Sequence, residues 1–290
     1  MSTPQGNVVL SHGARIPALG YGTSPLVGAP CRAAVECALK AGYRHLDTSA
    51  NSGNEDAVGE GVRQSGVPRE DLFITTKVWR TELRDGALQR SAQASLQRLG
   101  MAQVDLLLVH WPNAEISLVE VMRALASARR AGLARHIGVA NFPSTMFLQA
   151  VDACPEPLVA NQCEYHPRLN QDAVLAAVRS TGAAFISYSP LGRGVPIQGP
   201  VLTEIAARHQ RSEAQVLLRW NIQQPQVCAM PRSSHPLRIA QNIAVFDFEL
   251  SAQDMQALSA MASADGRMVN PPFAPAWDAP RTAAHMSAPC

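Results

Sequence analysis

Several features are scarce in this chain of 290 residues. No apolar run approaches the roughly 20 residues that span a bilayer, which argues against a membrane-spanning helix. The opening MSTPQGNVVLSHG lacks a basic region followed by a long apolar one, so no secretory signal is expected. The net charge is only +2, which gives no electrostatic footprint for nucleic acid or an anionic membrane surface. The six cysteines, Cys31, Cys37, Cys154, Cys163, Cys228 and Cys290, form no Cys-x-x-Cys pair and no Cys/His cluster with zinc spacing. They read as free thiols of a reducing cytoplasm, and no metal is expected. A redox role for Cys290 has no support in the spacing. No Gly-x-Gly-x-x-Gly follows a strand, so the usual dinucleotide fingerprint is missing. No repeat or low-complexity linker divides the chain.

What is present is alternation. Hydrophobic residues are 47% of the chain, ample for one large core. Residues 8–10 and 15–17 flank Ser-His-Gly-Ala and read as a short hairpin plug. Strand patterns follow at 18–23, 45–48, 72–78, 104–110, 136–140, 158–162, 184–188 and 227–230. Helical patterns fill the gaps, beginning at Pro30 and then covering 54–64, 85–99, 118–131, 144–153, 171–180 and 201–210. Ser212 with Gln215 makes a capping box for a further helix to about residue 223. Residues 236–242 and 251–262 are the last helical pieces, and the tail after 264 reads as an irregular cap. Regular strand–helix alternation implies a parallel sheet, and about eight repeats favour closure. The expected fold is an α/β (β/α)8 TIM barrel with a hairpin plug and an extra C-terminal helix, as one domain over residues 1–290. Such barrels usually take about 250 residues.

The chemistry gathers at strand ends. In YRHLDTSANSGNEDAVGEGVR an apolar run stops at Asp47. LFITTKVW ends at Lys77, and VDLLLVHWP ends at His110. An acid, a cation and an imidazole at the carboxyl ends of neighbouring strands form a candidate catalytic cluster. A buried ion pair is a poor stabiliser in general, so opposite charges there are better explained by a site. His110 by spacing alone fits a hydrogen-bonded core histidine equally well. Ser52-Gly53-Asn54-Glu55 fits a capping box for the second helix, with Glu55 reaching back to Ser52.

Together these segments resemble the aldo-keto reductase family. The family carries Asp, four residues, Tyr, then Gly or Asn, Asn and Glu. Here Asp47 is followed by Ser52 where the tyrosine, the family's proton donor, stands. The resemblance runs from the hairpin to RMVNPPFAPAWD, and the short tail is most similar to the bacterial 2,5-diketo-D-gluconate reductase branch. Such a tail implies a fairly open pocket for small carbonyls.

The resemblance assigns Asp47 and Lys77 to polarising the acid, and His110 to orienting the substrate carbonyl. Trp79, Trp111 and Tyr21 would wall the substrate pocket. The glycines of ALGYGT suit close approach at a strand end, and Gly22 and Thr23 would lie beside the cofactor. Asn141 and Gln162 match the pair that holds the nicotinamide carboxamide, while Ala140 forfeits a hydroxyl contact. Tyr188 matches the aromatic that stacks on the nicotinamide. Ser189 and Leu191 would meet the pyrophosphate. In MPRSSHPLRIAQN, Arg232, Ser233 and Arg238 match the residues that grip the adenosine 2′-phosphate, and Gln241 and Asn242 match those facing the adenine. Guanidinium forks and a helix start suit a phosphate, so NADPH/NADP+ is favoured over NAD.

Ser52 is the departure. A serine is shorter than tyrosine and far less acidic, so a water held by Lys77 and His110 is the alternative donor. Losing a positioned acid typically costs about 10²–10⁴-fold in rate. The rest of the pattern is kept so well that Ser52 reads as a substitution in a tyrosine-bearing protein, natural or engineered. The expectation is intact NADPH binding with weak reduction of small aldehydes and ketones, by a monomer or weak homo-oligomer. Two alternatives stand beside it: an imine reductase that needs no tyrosine proton, and a non-catalytic NADPH-binding sensor or regulatory subunit.

Overall fold

The computed structural model describes residues 8–279. Two left-handed residues, His12 (φ 45°) and Gly13 (φ 85°), turn strand β1 (Val8–Ser11) back onto β2 (Ala14–Pro17). Consecutive positive φ values match the right-handed twist of a tight hairpin. Ala14 and Ile16 leave this hairpin fully buried, in one cluster with Phe73, Leu106, Leu108 and Val159. The Ser11 hydroxyl also donates to the Val159 carbonyl at 2.8 Å. The plug therefore fills the floor of the barrel.

Eight parallel strands make the wall. They are β3 (Tyr21–Gly22), β4 (His45–Asp47), β5 (Phe73–Val78), β6 (Val104–Val109), β7 (Ala134–Ala140), β8 (Leu158–Glu164), β9 (Ala184–Tyr188) and β10 (Val227–Met230). They pair in chain order. A bridge from Leu19 to Ala229 and a Gly22 N–H donated to the Pro231 carbonyl at 2.9 Å join the two ends. The expected first strand, 18–23, keeps ladder pairing only at Tyr21 and Gly22. Gly20 explains the crowding there, since a Cβ on it would meet the Met230 sulfur at 2.5 Å.

Period-2 alternation sorts the side chains. Along β6, Leu106 and Leu108 face the barrel interior, whereas Leu107 and Val109 face the helices. The helical layer is α1 (Gly28–Ala41), α2 (Glu55–Ser65), α3 (Ala87–Leu99), α4 (Leu118–Arg130), α5 (Ser144–Ala153), α6 (Asp172–Ser180), α7 (Pro200–His209), α8 (Glu213–Ile222) and α9 (Pro236–Ile243). Helix α10 (Ala252–Ser259) is the expected extra one, and it packs on α7. Ser212 caps α8 in the expected capping box with Gln215. No helix of the described residues is long and apolar enough to cross a membrane. Cys31, Cys37, Cys154, Cys163 and Cys228 are free thiols, while Cys290 lies outside the described residues.

The start of α2 corrects the sequence reading. Ser52 does not cap this helix. Residues Ala50–Ser52 form a 3-10 turn, Gly53 adopts φ 61°, and Asn54 is the N-cap. Glu55 is thus the first residue of the helix and cannot reach back. Its carboxylate is drawn outward, to the Thr76 hydroxyl at 2.5 Å and the Arg98 guanidinium at 2.6 Å. Ser52 bonds the Ser49 hydroxyl at 2.7 Å. Asn54 carries the local structure instead. Its buried amide accepts from Thr48 Oγ1 at 2.6 Å and donates to the Leu26 carbonyl at 2.7 Å.

These contacts predict opposite outcomes for neighbouring alanine variants. Asn54→Ala strands buried polar partners and should cost about 2–3 kcal/mol. Ser52→Ala, with no cap to lose, should stay within about 0.5 kcal/mol. Urea unfolding midpoints at unchanged m value measure both.

Candidate active site

The carboxyl ends of successive strands deliver polar side chains into one mouth. Asp47 ends β4, Lys77 is the penultimate residue of β5, and His110 follows β6. Asn141 follows β7, Gln162 lies in β8, and Tyr188 ends β9. The same parity rule that turns Leu106 inward places Lys77 inside, two steps beyond Thr75.

The centre is an ion pair. Lys77 Nζ donates to Asp47 Oδ1 at 2.5 Å and to the Thr48 carbonyl at 2.9 Å. Both side chains are nearly buried, with 6% and 11% exposure. The other carboxylate oxygen, Oδ2, accepts from Gln162 Nε2 at 2.7 Å. His110 stands beside the pair, edge-on to Trp79 with ring centroids 5.1 Å apart. Its Nδ1 is buried without a hydrogen-bond partner. Burial, and then the Lys77 charge, push the imidazole down to about 3. His110 is therefore neutral across the physiological range and offers an N–H, not a titrating acid.

Asn141 sits at φ 64°, an uncommon conformation for a non-glycine residue, at the end of β7. The turn lets its amide donate to the His110 carbonyl at 2.9 Å and accept from the Tyr188 hydroxyl at 2.8 Å. Burial raises Tyr188 well above the ordinary phenol value.

These groups open into one cavity of about 1140 Å³. Asp47, Ser52, Lys77, Trp79, His110 and Trp111 line it. Gly22, Asn141, Gln162, Tyr188, Ser189 and Leu191 line it as well. So do Arg232, Ser233, Arg238, Gln241 and Asn242, around the start of α9. Arg232 and Arg238 are exposed, and among the described residues neither is paired with a carboxylate. A cavity of this size lined by two amides and by guanidiniums that no carboxylate pairs among the described residues fits a dinucleotide carrying an extra phosphate.

Two expected contacts are corrected. Tyr21 does not line the cavity. Its ring is buried edge-on to Tyr43, 5.7 Å between centroids, and its hydroxyl donates to the Ser233 carbonyl at 2.6 Å. The pleat turns Tyr21 toward α1 because Gly22, one residue on, takes the mouth-facing side. Thr23 is fully buried too, donating to the Asp47 carbonyl at 3.0 Å and accepting from Asn54 Nδ2 at 3.2 Å. It supports the site from behind.

The sequence reading missed a strap. Met268, Val269, Asn270, Pro271 and Phe273 of the irregular tail line the cavity. Phe273 sits edge-on to both Trp79 and Trp111, at 5.7 and 5.6 Å. The anchor is Glu164, fully buried, which accepts from the backbone N–H groups of Met268 at 2.7 Å and Val269 at 2.9 Å. His166 Nε2 lies 3.0 Å from the same carboxylate. A buried carboxylate ending a strand is the only local signal that a distant segment must come to meet it.

A parallel barrel with an ion pair, an imidazole and a dinucleotide-sized cleft at its carboxyl end defines a barrel oxidoreductase. The sequence profile of the aldo/keto reductase family matches residues 18–196 and 199–263. The chain belongs to that family. An aldo-keto reductase of Mycobacterium avium (strain 104) is 41% identical over 255 residues, covering 88% of this chain and 89% of its own length. A crystal structure of a protein provisionally named 2,5-diketo-D-gluconic acid reductase B is 43% identical, with a TM-score of 0.92, covering 94% of this chain and 98% of that one. The Bombyx mori aldo-keto reductase in complex with NADP is 33% identical, with a TM-score of 0.83, covering 90% and 94%.

The buried histidines set an acid limb of stability. His45, fully buried, is held down to about 4 and His110 to about 3, both chiefly by burial. Unfolding returns them to about 6.5, so the unfolded chain binds more protons between these values. Their contribution to stability is therefore complete above about pH 6.5 and is lost as pH drops toward 4 and then 3. His110→Gln should flatten part of this fall, as read from urea midpoints at pH 7, 5 and 4.

Proposed function

We propose that this chain is an NADPH-dependent reductase of small aldehydes and ketones whose activity is attenuated by Ser52. One observation carries the reading. One cavity is lined both by the Asp47–Lys77–His110 cluster with Trp79, Trp111 and Phe273 and by Arg232 and Arg238, which no carboxylate pairs among the described residues. When bound, the nicotinamide supplies the hydride.

The chain's own residues do the rest. The Asn141 and Gln162 amides orient the carboxamide, and the Tyr188 ring flanks the nicotinamide. Ser189 and Leu191 lie along the pyrophosphate, beside Gly22. Arg232, Ser233 and Arg238 grip the 2′-phosphate, and Gln241 and Asn242 face the adenine. Neutral His110 donates a hydrogen bond to the substrate carbonyl and fixes its direction. The Lys77 charge, fixed by Asp47, stabilises the oxygen as negative charge develops on it. The aromatic walls exclude water, which strengthens that stabilisation. Ser52 removes the family's phenol from this array. The free thiols support a reducing, cytoplasmic setting. Reduction of cyclic imines is a second reading favoured by the same loss, because an iminium needs no proton at the acceptor.

The test is NADPH oxidation with small aldehydes, ketones and cyclic imines, comparing this chain with Ser52→Tyr. Aldehyde kcat/KM should rise by about 10²–10⁴-fold in the variant, with NADPH affinity unchanged. Equal turnover by both would show that Ser52 does not attenuate the reaction. Imines outpacing aldehydes in this chain would favour the second reading.

Cofactor choice is tested at Arg238. Loss of a charge-assisted contact worth about 1.5–3 kcal/mol should weaken NADPH by about tenfold or more. NADH, which has no 2′-phosphate, should be little affected by Arg238→Ala in the same fluorescence titration.

A further inference from the structure

The cavity is lined by several side chains that carry a proton, and most are unsuited to give it up. The Tyr188 hydroxyl is committed to Asn141 Oδ1 at 2.8 Å, and burial weakens it as an acid. His110 is a neutral imidazole, with no second proton to release near neutrality. The hydroxyls of Ser49 and Ser52 bond each other at 2.7 Å, and alkyl alcohols are feeble acids. Lys77 is different. An ammonium has three donors. The structure engages two acceptors, Asp47 Oδ1 and the Thr48 carbonyl. The lysine lines the same cavity as Ser52 and His110.

We propose that Lys77 is the acid of this enzyme, its third ammonium N–H protonating the substrate oxygen directly or across one water resting on the Ser49–Ser52 pair. The assignment rests on the reductase reading above. The carbonyl carbon gains a hydride and the C=O π pair moves to oxygen. An N–H bond of the ammonium breaks as the new O–H bond forms, leaving a neutral amine and an alcohol. The amine then recovers its proton from solvent at the cavity mouth. NADPH is the reductant and the carbonyl is reduced, so electrons and protons balance.

The chemistry is well matched. An alkylammonium and a phenol have similar ordinary acidities, about 10.4 and about 10. Replacing tyrosine by serine therefore removes a phenol but leaves the Lys77 ammonium lining the same cavity. Asp47 cannot swing away to release the lysine, because its other oxygen is held by Gln162 at 2.7 Å. The lysine that acts through its charge when a tyrosine is present becomes the donor when it is absent.

The chain has only two lysines, Lys77 and the exposed Lys40 on α1, which makes the test clean. Lys77→Arg keeps the charge but provides no releasable proton, since a guanidinium is not deprotonated in proteins. With Ser52 in place this variant should lose about 10²-fold or more in aldehyde kcat/KM. In the Ser52→Tyr background the loss should be at least about tenfold smaller, because the phenol supplies the proton. NADPH affinity should hold in both.

A second readout needs no turnover. Among the ammonium signals of ¹⁵N-lysine-labelled protein, that of Lys77 should shift when NADP+ and a product alcohol are added, while that of Lys40 stays fixed. Lys40→Arg assigns the pair even if the Lys77 variant fails to fold. Equal losses in the two backgrounds, or an unmoved Lys77 signal, would overturn the assignment alone. No turnover by either the Ser52 chain or Ser52→Tyr would overturn the reductase reading and the assignment with it.

Discussion

The Asp47–Lys77 pair is the constraint on which the mouth of this barrel is built. Opposite charges removed from water cost several kcal/mol each, and their attraction offsets that only with good geometry and satisfied remaining valences. The barrel supplies both. Neighbouring parallel strands fix the two backbones, the Thr48 carbonyl takes a second lysine proton, and Gln162 takes the second carboxylate oxygen. Removing either partner leaves a buried charge unpaired, which is typically worth about 3–5 kcal/mol. A pair so costly is more readily understood as chemistry than as a source of stability. Burial, helped by the Lys77 charge, also keeps His110 neutral.

The segment between Thr48 and Glu55 has to serve two masters. Asn54 ties it to Thr48 and to the Leu26 carbonyl, and Glu55 ties it through Thr76 and Arg98 to the outer layer. The scaffold around position 52 is thus fixed by residues other than 52 itself. That is why the residue at position 52 can differ without disturbing the helix that follows. It also explains why Ser49 and Ser52 are free to bond each other at the cavity wall.

A second buried carboxylate organises the rim. Glu164 takes two backbone N–H groups of the tail, and Asp278 accepts from the Ser144 N–H at 2.9 Å and hydroxyl at 2.5 Å. Between these anchors Phe273 and Trp277 reach Trp111, and the Arg267 guanidinium stacks 3.8 Å from the Trp277 ring centroid. The aromatic wall of the pocket is therefore assembled from three distant parts of the chain.

Much of this was legible in the sequence. Alternating strand and helix patterns, set by local periods of about two and 3.6 residues, determined the (β/α)8 architecture, the plug and the capping box at Ser212. Polar residues ending apolar runs pointed to Asp47, Lys77 and His110, since a strand end is a position that sequence can mark. Short-range geometry was less legible. The helix begins within one residue of its expected start, but the 3-10 turn at Ala50–Ser52 with Gly53 at φ 61° makes Asn54 the N-cap and dissolves the capping box expected at Ser52. Facing was also lost where a strand is only two residues long, so Tyr21 and Thr23 were given to the cavity although the pleat turns them into the core. What tertiary structure alone decided were the contacts between distant segments: Gln162 on Asp47 and the tail closing on Glu164. No local pattern encodes them, because each depends on which strand ends the closed barrel brings within hydrogen-bond reach.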